Sequence, residues 1–255
     1  MKMGISTASL YPLETECALE LLGKSGIKYT EIFFNCVSEL KPDFITLLKK
    51  IKDEYGMEIC SIHPTMSLAE SFMLFSAYDR RLSEGLEEFR RYGEIAAELG
   101  AKYVILHGGK PNGVLDDRQY CERFMLVNES VRICGGELLQ ENVAKFRAGS
   151  VDFLKMMVAN LGEDVGFCLD VKQSIRGGYT PFDVINAVGS NIKHFHISDN
   201  NTKKDCLLPG KGSFDFKMLK AEADKIGYNG AFLIEVYRNA YNEYDELIDS
   251  IKYTV

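Results

Sequence analysis

Eight short β-rich runs, separated by helix-length segments, constrain the fold of this chain more than any other feature. The runs are MGIST (3–7), YTEIFF (29–34), EICSIH (58–63), YVILHG (103–108), ELLQEN (137–142), GFCLDV (166–171), KHFHIS (193–198) and AFLIEV (231–236). Most are too continuously apolar for strands with one wet face, as expected of parallel strands covered on both sides. The intervening segments carry helix punctuation. In PDFITLLKKIKDEYG, Pro42 falls in a first turn and Gly56 at the stop; in TPFDVINAVG, Thr180 is placed to cap, Pro181 follows and Gly189 ends the segment. Gly26, Gly56, Gly100, Gly136, Gly162, Gly189 and Gly227 each stand where a left-handed residue would turn the chain back. Eight such units in 255 residues predict one (β/α)8 TIM barrel, an α/β fold, as a single domain over 1–255. An open doubly wound sheet would need fewer strands and a GxGxxG loop, which is absent after the first run.

Composition sets the outer bounds. A chain of this length can bury roughly three quarters of its unfolded surface, and 46% hydrophobic with 26% charged residues is an ordinary globular mix. The apolar runs are only strand-sized and MKMGIS leads at once into folded-looking sequence, so neither a membrane span nor a signal peptide is expected and the cytoplasm is the expected compartment. Seven cysteines without CxxC or finger spacing read as small hydrophobes in a reducing environment. A net charge of −7 and a pI near 5.3 disfavour nucleic acid as a partner. The oligomeric state is left open, a homo-oligomer included.

In such a barrel the C-terminal ends of all strands converge on one face. Glu31, His63, His107, Glu141, Asp170, His196 and Glu235 stand at or near run ends, so residues far apart in sequence are expected to share one bowl. Carboxylates buried that close repel and protonate unless a cation compensates them. Glu141, Asp170, His196 and Glu235 make a mixed N/O set suited to Mn²⁺, Mg²⁺, Co²⁺, Fe²⁺ or Zn²⁺, without a choice among them. Singly each has a bland reading: a strand-end glutamate paired with a lysine, or His107 capping a turn before Gly108-Gly109. Repetition at four consecutive strands, fifth to eighth, favours a shared role. His194 is expected to face the helix layer, away from His196. The segment 64–79, PTMSLAESFMLFSAYD, carries Met and aromatic residues able to roof a pocket or simply to pack a loop.

The motifs ENV (141–143), LDVKQ (169–173), HFHISD (194–199), PGKGSFDF (209–216) and LIEVY (233–237), with EIFF, IHP and LHGG, resemble the xylose-isomerase-like sugar phosphate isomerase/epimerase superfamily, which also includes the apurinic endonucleases. That resemblance implies a xylose-isomerase-like TIM barrel with Glu141, Asp170, His196 and Glu235 as metal ligands. It implies that His63 and His107 line the pocket or hold extra metals, and that Glu141 and Glu235 serve as acid and base. Two departures stand out. Gln173 replaces the histidine often found three residues after the strand-six aspartate, which keeps a substrate hydrogen bond available but removes metal affinity. Lys211 in PGKG replaces a residue that is often acidic. Arg176 could reach a substrate phosphate or carboxylate, or face solvent.

The leading expectation is a divalent-metal-dependent isomerase or epimerase of a small sugar or polyol, moving a proton next to a carbonyl. Three others compete: a lyase dehydrating a keto-inositol-like polyol, an apurinic-endonuclease-type hydrolase, and a noncatalytic binding protein on the same fold.

Overall fold

Each apolar run forms a parallel strand, because a helical return on the outside brings the chain back to start the next strand in the same direction. The computed structural model describes residues 2–64 and 67–254. Strands β1 (Lys2–Ser6), β2 (Tyr29–Phe33), β3 (Glu58–His63), β4 (Tyr103–Leu106), β5 (Glu137–Glu141), β6 (Gly166–Asp170), β7 (Ile192–Ile197) and β8 (Ala231–Ile234) pair in chain order. β8 pairs back onto β1 and closes the barrel. Ten α-helices occur among the described residues: α1 (Thr15–Lys24), α2 (Pro42–Glu54), α3 (Ser67–Met73), α4 (Asp79–Leu99), α5 (Asp117–Arg132), α6 (Val151–Leu161), α7 (Val171–Arg176), α8 (Pro181–Val188), α9 (Phe216–Lys225) and α10 (Tyr244–Asp249). None is long and apolar enough to cross a membrane.

Local signals act as expected at α2, which has Pro42 in its first turn, and at α8, where Thr180 and Asp183 form a capping box. One turn differs: between α5 and β5 the positive φ belongs to Gly135 rather than Gly136, so the chain reverses one residue earlier.

Strand alternation divides the apolar residues into two cores. Val104, Leu106, Leu138, Phe167 and Leu169 join the main core between barrel and helices. Their neighbours Ile105, Leu139 and Cys168 point inward and form a small separate plug inside the barrel, with Tyr103 against it. Above the plug the inward positions turn polar. The same alternation corrects the expectation for His194. Residues two apart share a face, so His194 follows His196 inward, where it is buried with its Nε2 3.1 Å from Ser61 Oγ. In the segment 64–79, Phe75 stacks on Tyr120 at 4.2 Å between ring centroids, which is packing; Thr65 and Met66 lie outside the described residues.

Candidate metal centre

Strand register brings the four expected ligands to one height. Glu141 ends β5 opposite Cys168, Asp170 ends β6 opposite His196, and His196 lies opposite Leu233 of β8. Glu235 follows β8 with its N–H donated to the Ile197 carbonyl at 3.0 Å. One ligand atom each from Glu141, Asp170, His196 and Glu235 fall within 4.8 Å of one another. From His196 Nδ1 the distances are 2.6 Å to Glu235 Oε2, 3.5 Å to Glu141 Oε1 and 3.9 Å to Asp170 Oδ2.

Neighbouring motif residues hold this set in place. Asn142 of ENV accepts the Asp170 N–H at 2.7 Å and donates to the Asp170 carbonyl at 3.2 Å and to Ser174 Oγ at 2.9 Å, clamping the end of β6. Asp170 Oδ1 caps α7 by accepting the Gln173 N–H at 2.9 Å, which leaves Oδ2 facing the bowl. Asp199 of HISD accepts the N–H groups of Gly210, Gly212 and Phe214, each at 2.9 Å, and so fixes the PGKGSF loop. Gly212 is required there, since a Cβ would stand 2.3 Å from Asp199 Oδ1.

Beneath the set lies Glu31, fully buried. It accepts Ser6 Oγ–H at 2.9 Å, Ser61 Oγ–H at 2.7 Å and His196 Nε2–H at 3.0 Å. An ionised carboxylate only accepts, so Glu31 fixes the proton on Nε2 and frees Nδ1 to bind a cation. Burial alone would raise the Glu31 carboxyl, but His196, with His63 behind it, brings it down to about 2. Burial holds His194 down to about 3, hence neutral.

A second cluster shares Glu141. Its Oε2 lies 2.9 Å from His107 Nε2 and 3.8 Å from His63 Nε2, and these three residues also bring ligand atoms within 4.8 Å of one another. His107 is therefore in the bowl and is not merely a turn cap. Burial opposes a charge on His63, but Glu141 and Glu31 outweigh it and push His63 up to about 9. Glu70 of α3 accepts the N–H groups of His107 and Gly108 at 2.8 and 3.0 Å, tying the segment after β3 to this wall.

The other expected contacts lie farther out. Gln173 is half-buried with its Oε1 taken by the Ala144 N–H at 3.2 Å, which leaves its NH₂ group. Arg176 donates to both Asp205 oxygens, at 2.5 and 3.0 Å, and to Tyr237 Oη at 2.6 Å, so its guanidinium is already engaged at the edge of a cavity of about 510 Å³. Lys211 is exposed on its loop, where its charge acts on Glu246 of α10.

Sequence reasoning named Glu31 by position only and passed over Lys172, inside LDVKQ. Lys172 is 2% exposed, and its Nζ donates to Asp170 Oδ2 and, at 3.1 Å, to Glu235 Oε1. A charged residue within an otherwise buried motif was the signal available for it.

The donor set fits a divalent cation. Glu141 Oε2, His196 Nδ1 and Glu235 Oε2 are buried without a hydrogen-bond partner, although each has an ionisable neighbour close by. Three carboxylates and one imidazole with such atoms converging are a mixed N/O site. Burial, only partly offset by Lys172, and the like charges of Glu235 and Glu141 push Asp170 up to about 7. Burial opposes a charge on His196, yet its acidic surroundings, Glu31 and Glu235 among them, raise it well above the usual imidazole range. Both must be deprotonated to bind metal, so affinity is expected to rise with pH through about 7, where Asp170 ionises, and to go on rising above it as His196 gives up its proton, with proton release. Titration calorimetry in buffers of different ionisation enthalpy reads this directly. At an ion concentration about 100 times Kd, melting should rise by about 5–10 °C; no shift with millimolar Mn²⁺, Mg²⁺, Co²⁺ or Zn²⁺ would exclude the site.

Comparison with known proteins bears on the fold. A family model described as xylose isomerase-like TIM barrel matches residues 19–254. A curated inosose dehydratase of Geobacillus kaustophilus (strain HTA426) is 25% identical over 223 residues, covering 72% of this chain and 68% of that protein. Among solved structures, a D-tagatose 3-epimerase-like protein superposes with a TM-score of 0.80 at 22% identity, over 99% of this chain and 95% of that one. The IOLI protein with a bound zinc atom gives 0.78 at 21%, over 100% and 96%. At these identities the superpositions speak for the fold, while the family model spans nearly the whole barrel. The chain therefore belongs to the xylose isomerase-like TIM barrel family.

Proposed function

We propose that this protein is a divalent-metal-dependent isomerase or epimerase of a small sugar or polyol, moving a proton at the carbon beside a carbonyl. The observation that carries the reading is the convergence of Glu141 and Glu235, three strands apart in the eight-strand ring, on one cation site with Asp170 and His196. Held there, a divalent ion would supply Lewis acidity to a carbonyl and its neighbouring hydroxyl, acidifying the C–H between them. Glu141 and Glu235 are both kept ionised against the effect of burial, Glu141 chiefly by His107 and Glu235 chiefly by Lys172, so both are able to accept a proton. Their placement on different sides of the bowl suits removal on one face of the carbon and delivery on the other. His63, His107 and the free NH₂ of Gln173 are the side chains proposed to bind substrate oxygens. Arg176 and Lys211, farther out, are proposed to meet its distal end, Arg176 only by sharing itself with Asp205. The plug of Ile105, Leu139 and Cys168 fills part of the barrel interior.

A second reading, dehydration of a keto-inositol-like polyol, draws on the similarity to an inosose dehydratase and on His63. At about 9, His63 is protonated at neutral pH and could protonate a departing hydroxyl. The apurinic-endonuclease reading has less support: Gln173 stands where a third-metal ligand would be, and the chain carries −7.

Metal-loaded protein incubated with ketohexoses, their phosphates and a keto-inositol, followed by NMR, separates these readings. A stereochemically inverted or carbonyl-shifted isomer, lost with chelator and restored by metal, is expected, with an abasic duplex left intact. A dehydrated product would favour the second reading, and chelator-sensitive cleavage of the duplex would overturn both.

A further inference from the structure

A lysine so fully buried persists only where fixed negative charge compensates it. Lys172 meets that condition at the two carboxylates that a metal would also need. Asp170 Oδ1 is committed to the Gln173 N–H, so Oδ2 is the oxygen left for a cation, and Lys172 Nζ holds it. Glu235 turns Oε2 toward His196 and gives Oε1 to Lys172 at 3.1 Å. Glu141, Asp170 and Glu235 form one charge cluster with Lys172, His196 and His63, in which a divalent ion would need the oxygens that the ammonium holds.

A cavity lies beside the ammonium. The Tyr237 ring centroid is 5.9 Å from Nζ, and Tyr237 with Cys206 and Arg176 lines the cavity of about 510 Å³ alongside. The Arg176 guanidinium already lies 5.0 Å from the centroid of that ring, so an ammonium that leaves the carboxylates turns toward the cavity and not onto a vacant ring face.

We propose that Lys172 is a built-in cation that holds the carboxylate cluster together in the metal-free protein and competes with the divalent ion for Asp170 and Glu235. The inference rests on the metal reading of the cluster and not on the reaction carried out there. Competition for shared oxygens and repulsion between like charges act in the same direction, so Lys172 lowers metal affinity and stabilises the protein without metal.

Lys172→Met, which keeps the chain length and removes the charge, tests this by titration calorimetry with Mn²⁺ and by melting. The variant is expected to bind Mn²⁺ about tenfold or more tighter than the wild type. It should melt several degrees lower without metal and recover most of that difference when loaded. A readout on the wild-type protein covers the case in which the variant does not fold: labelling with an amine-reactive reagent at fixed pH, read by mass spectrometry, should rise at Lys172 when Mn²⁺ is added. Unchanged or weaker Mn²⁺ binding by a folded variant, or Lys172 labelling that does not rise on loading, overturns the proposal while leaving the metal site intact. No Mn²⁺ binding by either protein overturns the metal reading and the proposal together.

Discussion

Glu235→Gln is expected to lower turnover of an accepted ketose by about 10²–10⁴-fold, the usual contribution of a positioned acid or base. Metal affinity should fall much less, because an amide oxygen still coordinates weakly but cannot take up a proton at neutral pH. The two effects separate when Mn²⁺ binding and the rate are measured on the same preparation. If Glu141 and Glu235 work from opposite faces, the proton delivered by the second comes from solvent. Turnover in D₂O should therefore leave deuterium at the inverted carbon. An unlabelled product, or a variant with a near wild-type rate, would remove the two-base mechanism and leave only the cation site.

Glu31 should give the largest stability effect although it touches neither substrate nor the proposed ion directly. Glu31→Ala removes the acceptor of three buried donors, from Ser6, Ser61 and His196. The loss should be about 3–5 kcal/mol in urea unfolding of the metal-free protein. Glu31→Gln is milder for the fold but no longer fixes the proton on His196 Nε2, and metal affinity is expected to drop about 10–100-fold. The pH dependence has a definite sign. Glu31 sits at about 2 in the folded chain, against about 4.3 for an unfolded glutamate. Its contribution is fully present above pH 4.3 and lost as pH falls toward 2. The stability gap between wild type and Glu31→Gln should accordingly close over that range; a gap independent of pH would mean that the carboxylate charge is not what holds His196.

Much of the architecture was legible because it is written in local periodicity. Continuous apolar runs become strands, Pro42 and Thr180 start helices, and a carboxylate directly behind a buried run falls at a strand end whatever the rest of the chain does. Turn detail was less so. Gly135 and Gly136 are equally able to adopt a positive φ, and the α5–β5 junction, not composition, selects the first.

The sequence alone determined the order of eight strands and the placement of Glu141, Asp170, His196 and Glu235 at the ends of four of them, since both follow from spacing along the chain. Tertiary structure decided what surrounds those residues. Ring closure and strand register carry Glu31 of β2 under His196 of β7, 165 positions away, and bring Ser61 of β3 to His194. Inward or outward facing also had to be set by the barrel before His194 could be placed. Lys172 and Arg176 depended on tertiary contacts as well: a long flexible cation takes the partner that the fold brings within reach, Asp170 with Glu235 for one and Asp205 with Tyr237 for the other. Such pairings leave no periodic trace, because Coulomb attraction depends on distance in space and not on separation along the chain.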